Sequence, residues 1–472
     1  MRASLLHARH RTVCVLVACS WYLSAAYATA QTQGDAAAVE SIRSENLAPH
    51  LRYLAGDACD GREAGTAGGR RAAQYIRECL NRLPLRGAAA DGGKMQPFPP
   101  GFCNILALLP GTDEALKRQV VVVCAHYDHV GHGTAENSRG PIGQIHFGAD
   151  DNASGVSAVL ELAAAFARLP HAPRRSILFA FWDAEEKGSL GSRHWTRHPT
   201  LPLETVAAAV NLDMIGRLRD HRLTVYGSRT GYGLRRLVSA QNAAIALRMD
   251  FSWELEDDAD HFSFADRGIP ALFLYTGDHN DSHSPRDRAD RINWQGLEEV
   301  SRLACRLVLD LAERPVLSGF RLASRKETEK DRKRLEHLMP ETAGRLDAAW
   351  PGNHNTPGVL VSAIRPSPPI TQPPLVARSL QLGFAWQTDD AEADTVVLTH
   401  VVPHSPAAAA GLKAGDRICQ VNGQDFADAS GFLPLLASGG RSPQLLVERE
   451  GQLHAIRVAQ PDVQLVREMV RP

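Results

Sequence analysis

From about Val39 to Glu313, short runs of β-branched and other apolar residues alternate with longer stretches in which apolar positions recur every three or four residues. The short runs Gln119–Cys124, Ser176–Trp182, Val206–Leu212, Leu223–Tyr226 and Ala271–Tyr275 read as strands. Helical spacing is clearest over Ser154–Arg168, Leu234–Ala246 and Trp294–Leu311, the first opened by an Ala-Ser-Gly start. This alternation predicts a sheet covered by helices on both faces. From Phe320 to Leu338 the pattern gives way to charge of both signs, SRKETEKDRKRLEHL at its centre, which reads as a solvated helix face. Pro366, Pro368, Pro369, Pro373 and Pro374 mark a stiff linker. Beyond Leu375 only short β-like runs remain: Gln381–Trp386, Thr395–Val402, Arg417–Val421, Gln444–Arg449 and His454–Val458.

Composition narrows the class. Of 472 residues, 44% are hydrophobic and 22% charged, as in a globular protein of two or three domains. Lys and Arg number 52 against 53 Asp and Glu, so no basic surface points to nucleic acid or an anionic membrane. The N-terminus reads as a secretory leader: Arg2, Arg9 and Arg11, an apolar Val13–Ala26, and small residues at Ala28-Thr29-Ala30. Export to the periplasm or medium follows, with no membrane span expected in the mature chain. A second reading takes Leu16-Val17-Ala18-Cys19 as a lipobox and places a lipid anchor on Cys19. The cysteines beyond the leader (Cys59, Cys79, Cys103, Cys124, Cys305 and Cys419) show no metal-binding spacing.

Five short segments carry candidate chemistry: AHYDHVG (125–131), GADDNASG (148–155), FWDAEEKGSLGS (181–192), NLDMIGR (211–217) and DSHSPRD (281–287). Each sets a His, Asp or Glu where a strand gives way to a loop, which is where α/β enzymes place their sites. His126 and Asp128, two apart on an extended strand end, face the same way. A carboxylate so placed can take the second N–H of a metal-bound imidazole. By the same alternation His129 faces away, as a surface or loop histidine. Asp150-Asp151-Asn152 offers a carboxylate just before a helix. Glu185 and Glu186 diverge at a strand end, so one can bind a metal while the other serves as base and then acid. Asp213 ends a strand, and His283 lies in a polar loop, with His279 as its competitor. The set suits two zinc-like ions and metal-assisted hydrolysis.

These five segments, with LAGDACDGREAGTAGGRRAAQYI (54–76) and NILALLPG (104–111), resemble the co-catalytic zinc aminopeptidases of metallopeptidase family 28, whose relatives include glutamate carboxypeptidase. The resemblance implies a three-layer αβα zinc-peptidase domain with a central mixed sheet. It implies that Asp151 bridges two Zn2+ ions. His126 and Asp213 complete one ion's protein ligands, and Glu186 and His283 the other's. Glu185 is the general base, Asp128 partners His126, and the Asp151–Asn152 peptide bond is cis. Family members often carry Tyr directly before the last His; here that position is Ser282, leaving Tyr275 or another donor for the oxyanion. Asp260-His261-Phe262-Ser263-Phe264 matches a segment near the family's substrate pocket.

Residues 375–462 resemble a PDZ domain of the bacterial exported type, through Leu382-Gly383-Phe384-Ala385, Ser405-Pro406-Ala407 and AGLKAGDRICQVNG (410–423). Such a domain captures a peptide C-terminus beside a sheet edge, or else packs on the catalytic unit and binds nothing. The expected order is a leader over 1–30, a zinc peptidase domain over 31–315, a charged helical segment and linker over 316–374, then the PDZ-like domain. The function expected is removal of N-terminal residues from peptides with a free N-terminus. The alternatives are a carboxypeptidase or dipeptidase on the same site, or a catalytically weak peptide-binding scaffold acting through the PDZ domain.

Overall fold

A computed structural model describes residues 34–350 and 381–459, apart from 439 and 441. The expected leader, Cys19 and the proline-rich linker lie outside the described residues. The chain divides into two compact units, one of residues up to Arg217 with Asp278–Pro315, the other of Leu218–Gly277 with the chain from Val316 onward.

The first unit is built on a mixed sheet. Its strands are β1 (Arg86–Gly87), β2 (Met95–Phe98), β3 (Phe102–Leu109), β4 (Val120–His126), β5 (Ser176–Trp182) and β6 (Val206–Leu212). β4 pairs in parallel with β5 (Val120 opposite Ser176) and with β6, whereas β3 runs antiparallel to β5 (Ile105 opposite Phe181). Every residue of β4 and β5 is buried, so both faces of these strands are covered. That explains why they read as continuous apolar runs rather than alternating ones. The helices Gly155–Ala167 and Trp294–Glu313 pack on β4, and Ser44–Leu54 packs on both; Ala67–Asn81 and Leu190–Arg197 pack on β3. Two of these helices have side-chain caps. Thr66 Oγ1 accepts the Gly69 N–H at 3.2 Å, and Asn293 Oδ1 accepts the Gly296 N–H at 2.9 Å.

The second unit holds β7 (Arg222–Tyr226), β8 (Arg248–Phe251), β9 (Ala271–Tyr275) and the helix Leu234–Asn242. It continues into β10 (Phe384–Asp389), β11 (Glu392–Val401), β12 (Arg417–Val421), β13 (Gln424–Asp425), β14 (Gln444–Arg449) and β15 (Gln452–Arg457). β10, β11, β12, β14 and β15 pair antiparallel in that order around a core of Leu382, Phe384, Val396, Leu398, Ile418, Phe432 and Val447. This β-rich domain is stitched to residues 218–277. The Gly233 N–H donates to Ala391 O (2.9 Å) and the Met249 N–H to Glu450 O (2.7 Å). Arg235 Nε lies 2.9 Å from Glu448, while the Glu392 carboxyl accepts the Arg235 N–H (3.0 Å) at the start of the helix Leu234–Asn242.

The charged run departs from its sequence reading. Its α-helix is only Glu329–Glu336, and two of its charges, Arg321 and Glu336, are buried, while the others stay half-buried or exposed. Glu327 receives Arg229 at 2.7 Å and Arg321 at 2.6 Å, and Glu336 lies 3.8 Å from the buried Arg417. Asp389, on β10, sits between Arg229 and Arg417, each at 2.8 Å. Burial opposes its ionisation, but the two guanidinium groups hold it well below the usual carboxylate range. Arg229, Asp389 and Arg417 lie many residues away along the chain, so local charge pattern carries no sign of those pairings.

Candidate active site

The parallel strands β4, β5 and β6 end side by side, and their C-terminal ends deliver His126, the Asp183–Glu186 turn and Asp213 to one place. The loop before the helix Gly155–Ala167 brings Asp151, and the loop 278–287 brings His283. The peptide bond Asp151–Asn152 is cis, as expected.

Two donor clusters share Asp151. His126 Nε2 lies 3.3 Å from Asp151 Oδ1 and 3.3 Å from Asp213 Oδ1. On the other side, His283 Nε2 lies 3.0 Å from Asp151 Oδ2 and 3.1 Å from Glu186 Oε2. The two oxygens of one carboxylate thus face two different sets of donors. All five residues expected as ligands are brought together. The second cluster also contains His129, which corrects its reading as a surface histidine. His129 is buried, with Nδ1 2.8 Å from Glu186 Oε1 and 3.8 Å from Asp151 Oδ2. Strand alternation fails there because β4 stops at His126. Beyond it the chain follows residues 61–63 instead: the His129 N–H donates to Arg62 O and the Gly131 N–H to Gly61 O.

Glu185 Oε2 lies 4.0 Å from His126 Nε2, and Ser189 Oγ donates to Glu185 Oε1 at 3.3 Å. Asp128 lies 3.7 Å from His126 Nδ1, beyond hydrogen-bond reach. Its nearer partners are the N–H groups of Glu185 (3.0 Å) and Glu186 (3.4 Å), so it holds the turn that carries both glutamates. His279 joins neither cluster; its Nε2 meets Asp150 Oδ2 at 3.1 Å. Ser282 is buried, its N–H donating to His279 O. His261 and Tyr275 belong to the second unit, where His261 packs against Tyr226 and Phe273, and burial pushes it down to about 3.

Electrostatics of the site favour added positive charge. Burial alone would lower His283, yet Asp151 and Glu186 overturn that and push it up to about 11. His126, likewise opposed by burial, is raised well above its usual range by Asp213, Glu185 and Asp151. Against burial and the Asp151 charge, His129 and His283 pull Glu186 down to about 2. Burial lifts Asp213, with Asp151 and Glu186 adding to it. The three carboxylates of Asp151, Glu186 and Asp213, clustered with three imidazoles, make a nitrogen and oxygen donor set that fits zinc-like dications.

Three further side chains hold the site, and sequence reasoning assigned none of them. Arg62 is wholly buried and donates to the carbonyls of Tyr127 (2.8 Å), Gly148 (2.6 Å) and Asp151 (2.9 Å). Asp287 accepts the N–H groups of Asp150 (3.0 Å) and Asp151 (3.1 Å); burial and the Asp150 charge push it up to about 7. Asp183 accepts the N–H groups of Cys103 (2.8 Å) and Ala184 (3.0 Å) at the head of the glutamate turn. The signals available were the position of Arg62 in the early segment, and of Asp287 and Asp183 inside two of the five motifs.

Comparison with known proteins gives these features a context. Residues 104–308 match the model of peptidase family M28, and residues 397–449 that of the PDZ domain. Leupeptin-inactivating enzyme 1 of Streptomyces exfoliatus is 26% identical over 239 residues, covering 49% of each chain. Aminopeptidase YwaD of Bacillus subtilis is 28% identical over 204 residues (41% of this chain, 42% of the relative). The probable lipoprotein aminopeptidase LpqL of Mycobacterium tuberculosis is 30% identical over 182 residues (35% and 33%). The chain thus spans half or less of the length of these relatives. Among solved structures, the LapA aminopeptidase of Legionella pneumophila superposes with a TM-score of 0.49 at 22% identity, covering 60% of this chain and 74% of that one.

Proposed function

We propose that the peptidase family M28 domain of this chain is a two-zinc aminopeptidase acting on peptides with a free N-terminus. The observation that carries the reading is the division of Asp151, one oxygen toward His126 and Asp213 and the other toward His283, Glu186 and His129. His126, Asp151 and Asp213 would hold one zinc ion, and Asp151, Glu186 and His283 the other. Bound there, a zinc pair supplies an acidified water and a Lewis acid for the scissile carbonyl.

The remaining work falls to the protein's own groups. Glu185 takes the proton of the attacking water and delivers it to the departing amine. Ser189 fixes one Glu185 oxygen, leaving Oε2 toward the site. Asp128 keeps Glu185 and Glu186 diverging from one turn by binding both of their N–H groups. Among the described residues no helix is long and apolar enough to cross a membrane. Export of the chain is part of the proposal: it rests on the leader-like residues 1–30 and on a lipoprotein aminopeptidase among the relatives. Capture of a peptide C-terminus by the PDZ domain is likewise proposed.

The test is hydrolysis of a panel of aminoacyl-p-nitroanilides, with metal content measured alongside. Chelation should abolish turnover and zinc restore it. Glu185→Gln should retain both ions and lose about 10²–10⁴-fold in kcat. Two ions bound with no turnover of any free-amine substrate would sink the aminopeptidase reading and turn attention to substrates cut from the C-terminus.

A further inference from the structure

Away from the metal site, three helices of the first unit meet over a second cluster of titratable side chains. His50, on the helix Ser44–Leu54, turns Nδ1 toward the Tyr75 hydroxyl (2.9 Å) and the Cys79 sulfur (3.9 Å), both on the helix Ala67–Asn81. Its Nε2 lies 3.4 Å from Glu161 Oε1 on the helix Gly155–Ala167. The Glu161 side chain is only 8% exposed. Its Oε2 is buried and has no hydrogen-bond partner among the described residues. A buried carboxylate left with one neighbour favours a cation there. Burial works against a charged His50, yet Cys79 and Glu161 push it up to about 9.

Sulfur, imidazole and buried carboxylate in sequence form the arrangement that activates a thiol, the third group holding the second in place. Cys79 is half-buried. Cys103 supplies an internal contrast. It is half-buried too, but burial and the neighbouring Asp183 charge push its thiol up to about 11. Both cysteines are free thiols.

We propose that Cys79 is a thiol-modification site that exchanges with low-molecular-weight disulfides of the glutathione class. The Cys79 sulfur bonds to one sulfur of the disulfide and the original S–S bond breaks. The second half departs as a thiolate and takes up a proton, so one thiol and one disulfide are consumed and one of each is formed. No outside oxidant enters. His50 stands where it can hold the proton between these steps. The mixed disulfide would crowd the His50–Glu161 pair, and Glu161 lies on the helix that begins at Gly155, three residues beyond Asn152.

The experiment exposes the folded full chain to oxidised glutathione and follows Cys79 and Cys103 separately by peptide mass spectrometry. Cys79 should react at least about tenfold faster than Cys103, as expected for a thiol beside an imidazolium against one beside a carboxylate. His50→Gln, checked for retained circular dichroism, should slow Cys79 severalfold and leave the rate at Cys103 as it was. Equal rates at the two cysteines in the wild-type chain would overturn the proposal without need of any variant. So would a Cys79 advantage that survives intact in a folded His50→Gln chain.

Discussion

His129 and His283 approach Glu186 from two sides, His129 at 2.8 Å on one oxygen and His283 at 3.1 Å on the other. Taking one away leaves the carboxylate free to rotate. His129→Gln should therefore weaken the cluster of Glu186 and His283 by about 10–100-fold in metal affinity, the usual cost of losing an outer partner of a ligand. Affinity for the cluster of His126 and Asp213 should stay as it was. A chelator-competition titration resolves the two; equal weakening at both would argue against a selective role. The ligand candidates were readable because each follows an apolar strand, and strand ends gather in an α/β sheet. His129 was misread because alternation was carried past the last residue of β4. For Arg62 only its place in the early segment is a signal, because its acceptors are backbone carbonyls, which leave no mark on the sequence.

Among the elements, β5, β6 and β9 follow their sequence bounds residue for residue, since apolar runs flanked by polar loops define both ends. The helix expected to reach Ala246 stops at Asn242. There the Asn242 side chain donates to Leu247 O (2.7 Å) and accepts the Leu247 N–H (2.9 Å), closing the chain into a turn. Such a side-chain turn competes with the helix and is invisible to periodicity. The loop before Gly155 depends on Gly148, which has φ +55° and whose added Cβ would lie 2.2 Å from Asp151 O. Gly148→Ala should displace Asp151 and cost both ions while leaving far-ultraviolet circular dichroism close to wild type. Full metal content in that variant would show that the loop can relax around a methyl group.

For the molecule as a whole, the notable feature is that the β-rich domain and residues 218–277 share buried charges. Asp389→Ala would leave Arg417, 1% exposed, and Arg229 without their common carboxylate. The expected loss is about 3–5 kcal/mol, the usual result of breaking a buried pair from one side. It should appear as a lower denaturant midpoint for the second unit; a loss under about 1 kcal/mol would mean that water replaces the carboxylate. Glu392 supplies a pH signature. Burial, then the Asp389 charge, raise it from 4.5 to about 8. Between those values the folded chain keeps a proton that the unfolded chain has released, so stability falls as pH rises through the window. Glu392→Gln has no proton to keep, and its stability measured by denaturation should be flatter across that range. An unchanged slope would place the pH dependence elsewhere.

Chain order gives this arrangement a consequence for synthesis. Asp213 leaves the ribosome before residues 218–277, and His283 and Asp287 after them. The backbone and charge partners of residues 218–277, at Glu327, Asp389, Ala391, Glu448 and Glu450, emerge later still. A nascent chain can therefore present a full set of metal donors while the stretch separating Asp213 from His283 still lacks its companions. Assembly of the donor set and completion of the second unit become separable in time, with the β-rich domain, translated later, finishing a segment that was made long before it.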